Sequence, residues 1–176
     1  MITYFDNHFN KSVTVIYPGE CYVPLSDEII STVLGSCVTV ALFDQRKKIG
    51  GINHFMLAQK KTCGAANHDN QSGRFGDCAL KNLLQSMYDA GCHRDDICAK
   101  VFGGGNVLKL SNESEKIGDL NIKCAIDFLS GEGIPIIASD VGGVEPRKIY
   151  FESSTAKVWL KRIENSILVG GELASY

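Results

Sequence analysis

The chain has 176 residues, 44% of them hydrophobic and 22% charged, with a formal net charge of −2. That length suffices for one domain whose core needs no staples, and the near-neutral balance points away from nucleic acid as a partner. No run approaches the roughly 18–20 consecutive apolar residues of a membrane span, and Met1-Ile2-Thr3-Tyr4-Phe5-Asp6 lacks a basic-then-apolar leader pattern, so the expectation is a cytoplasmic protein without direct membrane insertion.

From the N-terminus, residues 1–11 are polar and aromatic without period and are expected to be loosely ordered. Ser12-Val13-Thr14-Val15-Ile16-Tyr17 alternates as a strand and stops at Pro18-Gly19, while Cys21-Tyr22-Val23 continues the sheet before Pro24. Ser31-Thr32-Val33-Leu34-Gly35-Ser36-Cys37 then reads as a small-residue turn that delivers a cysteine to the mouth of the apolar strand Val38-Thr39-Val40-Ala41-Leu42-Phe43. The next strand, Asn53-His54-Phe55-Met56-Leu57, carries a histidine.

Asp44-Gln45-Arg46-Lys47 between them has the length of a hairpin turn. Symmetry about the Gln45-Arg46 bond pairs Asp44 with Lys47 and Phe43 with Lys48, which carries the count to Cys37 opposite His54. Opposed residues share a face with Cβ atoms roughly 4.5–5.5 Å apart, within reach of a thiol–imidazole contact. A one-residue slip would part them, and Gly50-Gly51 is the place where a bulge would shift the count.

Residues 58–74 are rich in glycine, asparagine and lysine without periodicity, and read as a loop, either a substrate flap beside the site or plain surface. Leu80, Leu83, Leu84 and Met87 recur at helical spacing within 77–90, with Asp77 as N-cap and Gly91 as terminator. Ile97-Cys98-Ala99-Lys100-Val101-Phe102 is a strand ending in Gly103-Gly104-Gly105-Asn106. That run lacks the Gly-Lys-Ser/Thr ending of a P-loop and any G-x-G-x-x-G pattern, so a tight bend beside the site is preferred to phosphate binding. A second helix is expected over 117–129, with Ile122, Ala125, Ile126 and Leu129 on one face and Gly131 and Gly133 behind it.

Ile134-Pro135-Ile136-Ile137-Ala138 is the next strand and Asp140-Val141-Gly142-Gly143 a turn. Lys148-Ile149-Tyr150-Phe151-Glu152 pairs across Ser153-Ser154-Thr155 with Ala156-Lys157-Val158-Trp159-Leu160-Lys161. The order of strands, helix, strand, helix, strands indicates a single α/β domain. In it, two main helices cover largely antiparallel mixed sheets, with a core over about residues 12–163.

Seven cysteines are present, at positions 21, 37, 63, 78, 92, 98 and 124. The odd number, irregular spacing and lack of a Cys-x-x-Cys argue against a disulfide framework and a standard zinc site, and for a reducing compartment. Cys92-His93 with Cys98, and Cys63 with His68, come nearest to metal spacing, but the expectation is no metal. Cys78 and Cys124 fall in helical patterns and read as small buried hydrophobes. Cys21 and Cys63 are rival nucleophiles without an opposed histidine.

Leu34-Gly35-Ser36-Cys37-Val38, His54-Phe55-Met56-Leu57, Phe102-Gly103-Gly104-Gly105-Asn106, Ile117-Gly118 with Asn121, and Asp140-Val141-Gly142-Gly143 with Arg147 together resemble the CheD family. These are chemoreceptor glutamine deamidases of bacterial and archaeal chemotaxis. The resemblance runs in order and with matching gaps over residues 19–163. It implies an α/β sandwich related to bacterial toxin deamidases and a catalytic cysteine, histidine and threonine. The first two carry over to Cys37 and His54. The threonine position, six before the cysteine, holds Ser31 here with Thr32 beside it, so either hydroxyl is a candidate. Lys116 and Leu120 depart from the family pattern, which usually has asparagine and arginine there.

A free thiol has a pKa of about 8.5, and a neighbouring imidazole stabilises its thiolate as an ion pair. Cys37 would attack the γ-carboxamide of a glutamine, with N–H groups around Gly35, Ser36 and Cys37 receiving the oxyanion and Gly103 and Gly104 bordering the site. The resemblance implies a protein-glutamine glutaminase, without cofactor, acting on the cytoplasmic domains of methyl-accepting chemotaxis receptors and regulating adaptation. It also implies docking to a CheC-type phosphatase. Two alternatives use the same chain: a non-catalytic adaptor between receptor and phosphatase, and a receptor glutamate methylesterase working through the same acyl-enzyme.

Overall fold

Strand β5 (Val38–Asp44) is buried along its whole length because it runs through the middle of three layers. Val38, Val40 and Leu42 pack against the helices. Ala41 and Phe43 point the other way, into a second core shared with Ile30, Leu34, Ile149 and Phe151. The period-2 pleat thus serves two cores from one strand. The computed structural model describes residues 1–58, 72–106 and 117–163 and the backbone of 174–175; most of the expected flap loop, with Cys63 and His68, lies outside the described residues, as does Lys116.

One sheet has the order β1 (Ile2–Asp6), β2 (Lys11–Val15), β4 (Ile29–Leu34), β9 (Arg147–Glu152), β10 (Val158–Arg162) and β11 (Ala174–Ser175). The other has the order β3 (Cys21–Tyr22), β6 (Ile49–Asn53), β5, β7 (Ile97–Gly103) and β8 (Ile136–Val141). Pairing is antiparallel except between β2 and β4 and between β7 and β8, so the expected mixed, largely antiparallel α/β architecture is the one found. Helices α1 (Gly76–Asp89) and α2 (Ile117–Gly131) cover the free face of the second sheet. No helix among the described residues is long and apolar enough to cross a membrane.

Element ends move: Phe75 rather than Asp77 is the N-cap of α1, and Asp140 and Val141, read as part of a turn, end β8. Three larger expectations also change. Residues 2–6, read as loose, form β1, because Asp6 accepts the His8 N–H at 2.8 Å to close a hairpin onto β2 and Phe9 in its turn stacks on Tyr150 and Trp159. The run 31–34, read as part of a small-residue turn, is the end of β4, as its β-branched content allows; only Gly35 and Ser36 bend.

The third change concerns register. Asp44 pairs with Ile49, Phe43 with Gly50 and Leu42 with Gly51, so the loop is 45–48 and every partner number moves by two. Asp44 causes it: its carboxylate accepts the N–H groups of Arg46 and Lys47 at 2.9 and 2.8 Å and its carbonyl that of Lys48, which takes a left-handed φ of 58°. Gly50 and Gly51 host no bulge. They are small because a Cβ on Gly50 would strike the Phe151 ring at 2.7 Å and one on Gly51 would strike Val23 at 2.5 Å. A shift of two preserves faces, so Cys37 and His54 stay on one side of the sheet as diagonal rather than directly opposed neighbours.

Candidate active site

His54 follows β6 where that strand leaves the regular β5 ladder. Asn53 replaces one ladder bond by accepting the Val40 N–H through its side chain at 2.9 Å. Pairing then resumes between Val38 and Phe55, with N–H to carbonyl distances of 3.1 and 3.0 Å. On its other edge His54 donates its backbone N–H to Glu20 and accepts that of Gly19, at 2.9 and 2.7 Å. The imidazole is therefore held at both backbone edges, and it is 2% exposed.

Its ring reaches across to the first sheet, where Nδ1 lies 2.8 Å from Thr32 Oγ1. The Thr32 hydroxyl gives its own proton to the Ile16 carbonyl at 2.9 Å, so it can only accept from the histidine. The network assigns the proton to Nδ1 and leaves Nε2 as a lone pair. Nε2 is buried and has no hydrogen-bond partner among the described residues. Burial drives the His54 pKa down to about 4, against a weaker upward pull from the Glu20 carboxylate.

Cys37 packs half-buried against the same inter-sheet core. Burial raises its pKa, with its own backbone N–H acting weakly the other way. Desolvation thus works against charge on both groups, and so against the thiolate–imidazolium pairing that the sequence reading invoked.

The turn carrying the cysteine is held by its carbonyls. That of Gly35 accepts the Gly105 N–H at 2.7 Å, and that of Cys37 accepts the Gly104 N–H at 2.7 Å. The Ser36 carbonyl between them accepts from the Asn121 side chain of α2 at 2.9 Å. Gly103 has φ 107°, and a Cβ there would lie 2.2 Å from the Cys37 carbonyl oxygen. The glycine triplet is a clamp behind the Cys37 turn, with the N–H groups of Gly104 and Gly105 already engaged and so not free as donors.

Behind the clamp stands a buried brace. Gly142 donates its N–H to the Gly103 carbonyl at 2.9 Å, and Asn106 donates to Gly143 at 2.8 Å. Arg147, 0% exposed, pairs with the Asp140 carboxylate and donates to the carbonyls of Asp140, at 2.6 Å, and Gly142. Arg162 holds the other Asp140 oxygen at 2.7 Å. Burial lowers the Arg147 pKa while Asp140 opposes the shift, the balance expected of a desolvated pair.

Residues 56–162 match a family model described as CheD chemotactic sensory transduction. Across nearly the whole chain it is similar to proteins named probable chemoreceptor glutamine deamidase CheD. The one named CheD 1 in Shewanella oneidensis is 41% identical over 161 residues, covering 92% of this chain and 77% of the relative. The chain belongs to the CheD family. Those of Methylobacillus flagellatus and Herminiimonas arsenicoxydans are 37% and 39% identical over 172 residues, covering 96% of this chain and 84% of each relative.

Within this CheD-family chain, the sequence-predicted residues fall into place unequally. Cys37, His54 and Thr32 line the same inter-sheet layer. Ser31 does not join them: strand alternation turns it to the other face of β4, where its buried hydroxyl has no partner among the described residues, so the hydroxyl that holds the histidine is Thr32. Cys21 belongs to the helix-side core and contacts Ser86 at 3.9 Å. Cys92 and Cys98 are buried structural thiols. Cys78 is buried, as its helical pattern suggested, but it is disulfide-bonded.

Among the described residues no three His, Cys, Asp or Glu side chains gather as a metal site. A polar cleft of about 510 Å³ lined by Asp44, Lys47, His93 and Asp96 sits at the far end of β5 from Cys37. The residue at the site that the periodicity reading missed is Asn121, which bonds the Ser36 and Met56 carbonyls. It occupies the buried face of α2, while Ile126, assigned to that face, is 44% exposed. Its place in the Ile117-Gly118 motif was the available signal.

Proposed function

We propose that this chain is a protein-glutamine glutaminase that converts glutamine side chains on chemoreceptor cytoplasmic domains to glutamate, acting in the cytoplasm to tune adaptation. One observation carries the reading: the Thr32 bond to His54 Nδ1 leaves the Nε2 lone pair in the layer that holds the Cys37 thiol. The names of the relatives supply the substrate class. A half-buried thiol suits a side chain presented from a protein surface.

With burial disfavouring charge on both groups, His54 Nε2 takes the thiol proton as sulfur attacks the γ-carboxamide carbon. Charge develops on the carboxamide oxygen, where the N–H groups of Ser36 and Cys37 receive it. The imidazolium, its Nδ1–H still held by Thr32, gives its proton to the amide nitrogen. Ammonia leaves and a thioester remains. Water, deprotonated by the same Nε2, adds to the thioester; collapse returns the thiol and frees glutamate. No metal or cofactor enters these steps.

The test is incubation with a purified receptor cytoplasmic fragment, with peptide mass spectrometry reading the gain of about 1 Da per converted glutamine, beside Cys37→Ala. The native protein converts glutamine and the variant falls by about 10⁴-fold or more, the scale of losing a nucleophile. Receptor or CheC-type phosphatase binding without any conversion would replace this reading with the adaptor.

A further inference from the structure

Three consecutive peptides of the nucleophile turn are pinned by their carbonyls, two of them by main-chain N–H groups of the glycine clamp and the middle one by a side chain. We propose that Asn121 is the positioning residue of the oxyanion hole: its amide fixes the peptide joining Ser36 to Cys37 so that the Cys37 N–H faces the substrate. The proposal rests on the deamidase reading and deepens it.

Asn121 is 0% exposed. Its Nδ2 donates to the Ser36 carbonyl at 2.9 Å and to the Met56 carbonyl at 2.8 Å. Both protons of one amide are used to tie the cysteine turn to the segment just beyond His54. In a trans peptide the C=O and N–H point in opposite directions, and no cis peptide occurs among the described residues. Holding the Ser36 carbonyl against α2 therefore turns the Cys37 N–H away from α2. The Gly105 bond to the Gly35 carbonyl does the same for the Ser36 N–H. Neither N–H has an acceptor among the described residues apart from the Cys37 sulfur itself.

Two donors on successive residues, neither engaged by another described residue and each aimed by a bond on the far side of its peptide, form a preorganised anion receiver. Without the clip, the middle peptide is free to rotate within a turn whose glycine imposes little restraint. The second carbonyl bond also makes Asn121 the only side chain among the described residues that hydrogen-bonds both the Cys37 turn and the segment after His54.

The experiment compares native protein, Asn121→Ala and the near-isosteric Asn121→Asp with two electrophiles. Iodoacetamide alkylates Cys37 by displacement at a saturated carbon and develops no oxyanion; glutamine deamidation does. Both variants should keep the Cys37 alkylation rate, followed by peptide mass spectrometry, within about threefold. Their kcat for deamidation should fall about ten- to a hundredfold, with KM within about twofold. An equal fall in both reactions, or none in kcat, overturns the proposal.

A measurement on the native protein is independent of whether the variants fold. A peptide carrying glutamate semialdehyde in place of glutamine forms a hemithioacetal, sulfur bonding to the aldehyde carbon and the thiol proton passing to its oxygen. The amide proton resonances of Ser36 and Cys37 should then move downfield, and unmoved resonances overturn the assignment of these donors. An iodoacetamide-reactive Cys37 that forms no adduct and converts no glutamine sinks the deamidase reading itself; failure of the clip alone leaves adduct and conversion intact in the variants.

Discussion

Helices α1 and α2 lie against the same sheet, yet they bury different kinds of side chain. α1 presents Leu80, Leu83, Leu84 and Met87 to the core, each contributing about 1.5–3 kcal/mol of apolar burial. α2 buries Gly118, Asn121, Ala125 and Leu129, a face whose N-terminal part is small residues around one amide. The small residues let α2 approach the glycine clamp: a Cβ on Gly118 would sit 2.3 Å from the Gly104 carbonyl oxygen. One helix supplies stability through bulk. The other gives up bulk at its N-terminal half to bring a hydrogen-bonding group to the Cys37 turn.

The division is broken or sharpened by substitution. Leu83→Ala on α1 should cost about 2–5 kcal/mol of unfolding free energy in a denaturant titration, with kcat per folded molecule unchanged. A fivefold change in kcat would dissolve the distinction between the helices.

The site's own share of stability follows from His54. Its folded pKa of about 4 lies below the ordinary 6.5, so the unfolded chain binds the proton first. The contribution is complete above pH 6.5 and is lost as pH falls through about 4, a change on the order of 3 kcal/mol. Denaturation midpoints at pH 7 and pH 4.5 should separate accordingly, and His54→Gln should narrow that separation.

The smallest effects separate two glycines of the same helix. Gly118→Ala should lose about 1–3 kcal/mol and lower kcat by displacing the clamp. Gly131→Ala, with nothing within 4 Å of its added Cβ, should be neutral or gain up to about 1 kcal/mol. Equal behaviour of the two in thermal melts would show that α2 does not press on the clamp.

The α1 stripe was legible because Leu80, Leu83, Leu84 and Met87 repeat at the helical period, and Gly91 closes the helix with a φ of 80° as its position suggested. The α2 face was legible only in part, since periodicity ranks Ile126 above Asn121, and a buried amide is explained by partners at positions 36 and 56 that lie far away in sequence. The hairpin count failed by two at Asp44, whose side-chain bonds to Arg46 and Lys47 lengthen the turn. It failed harmlessly, because an even slip keeps Cys37 and His54 on one face. The choice between Ser31 and Thr32 needed to know which face of β4 meets the second sheet.

The amino-acid sequence by itself determined both helices, most of the strands, the cysteine and histidine worth watching, and the family, all of which are written in local period and motif. Only the tertiary structure decided that Thr32 holds the imidazole, that burial disfavours charge on Cys37 and His54, and that the glycine run and Asn121 hold the carbonyls of the Cys37 turn. Those outcomes depend on desolvation and on contacts between distant segments, which exist only once the layers have packed.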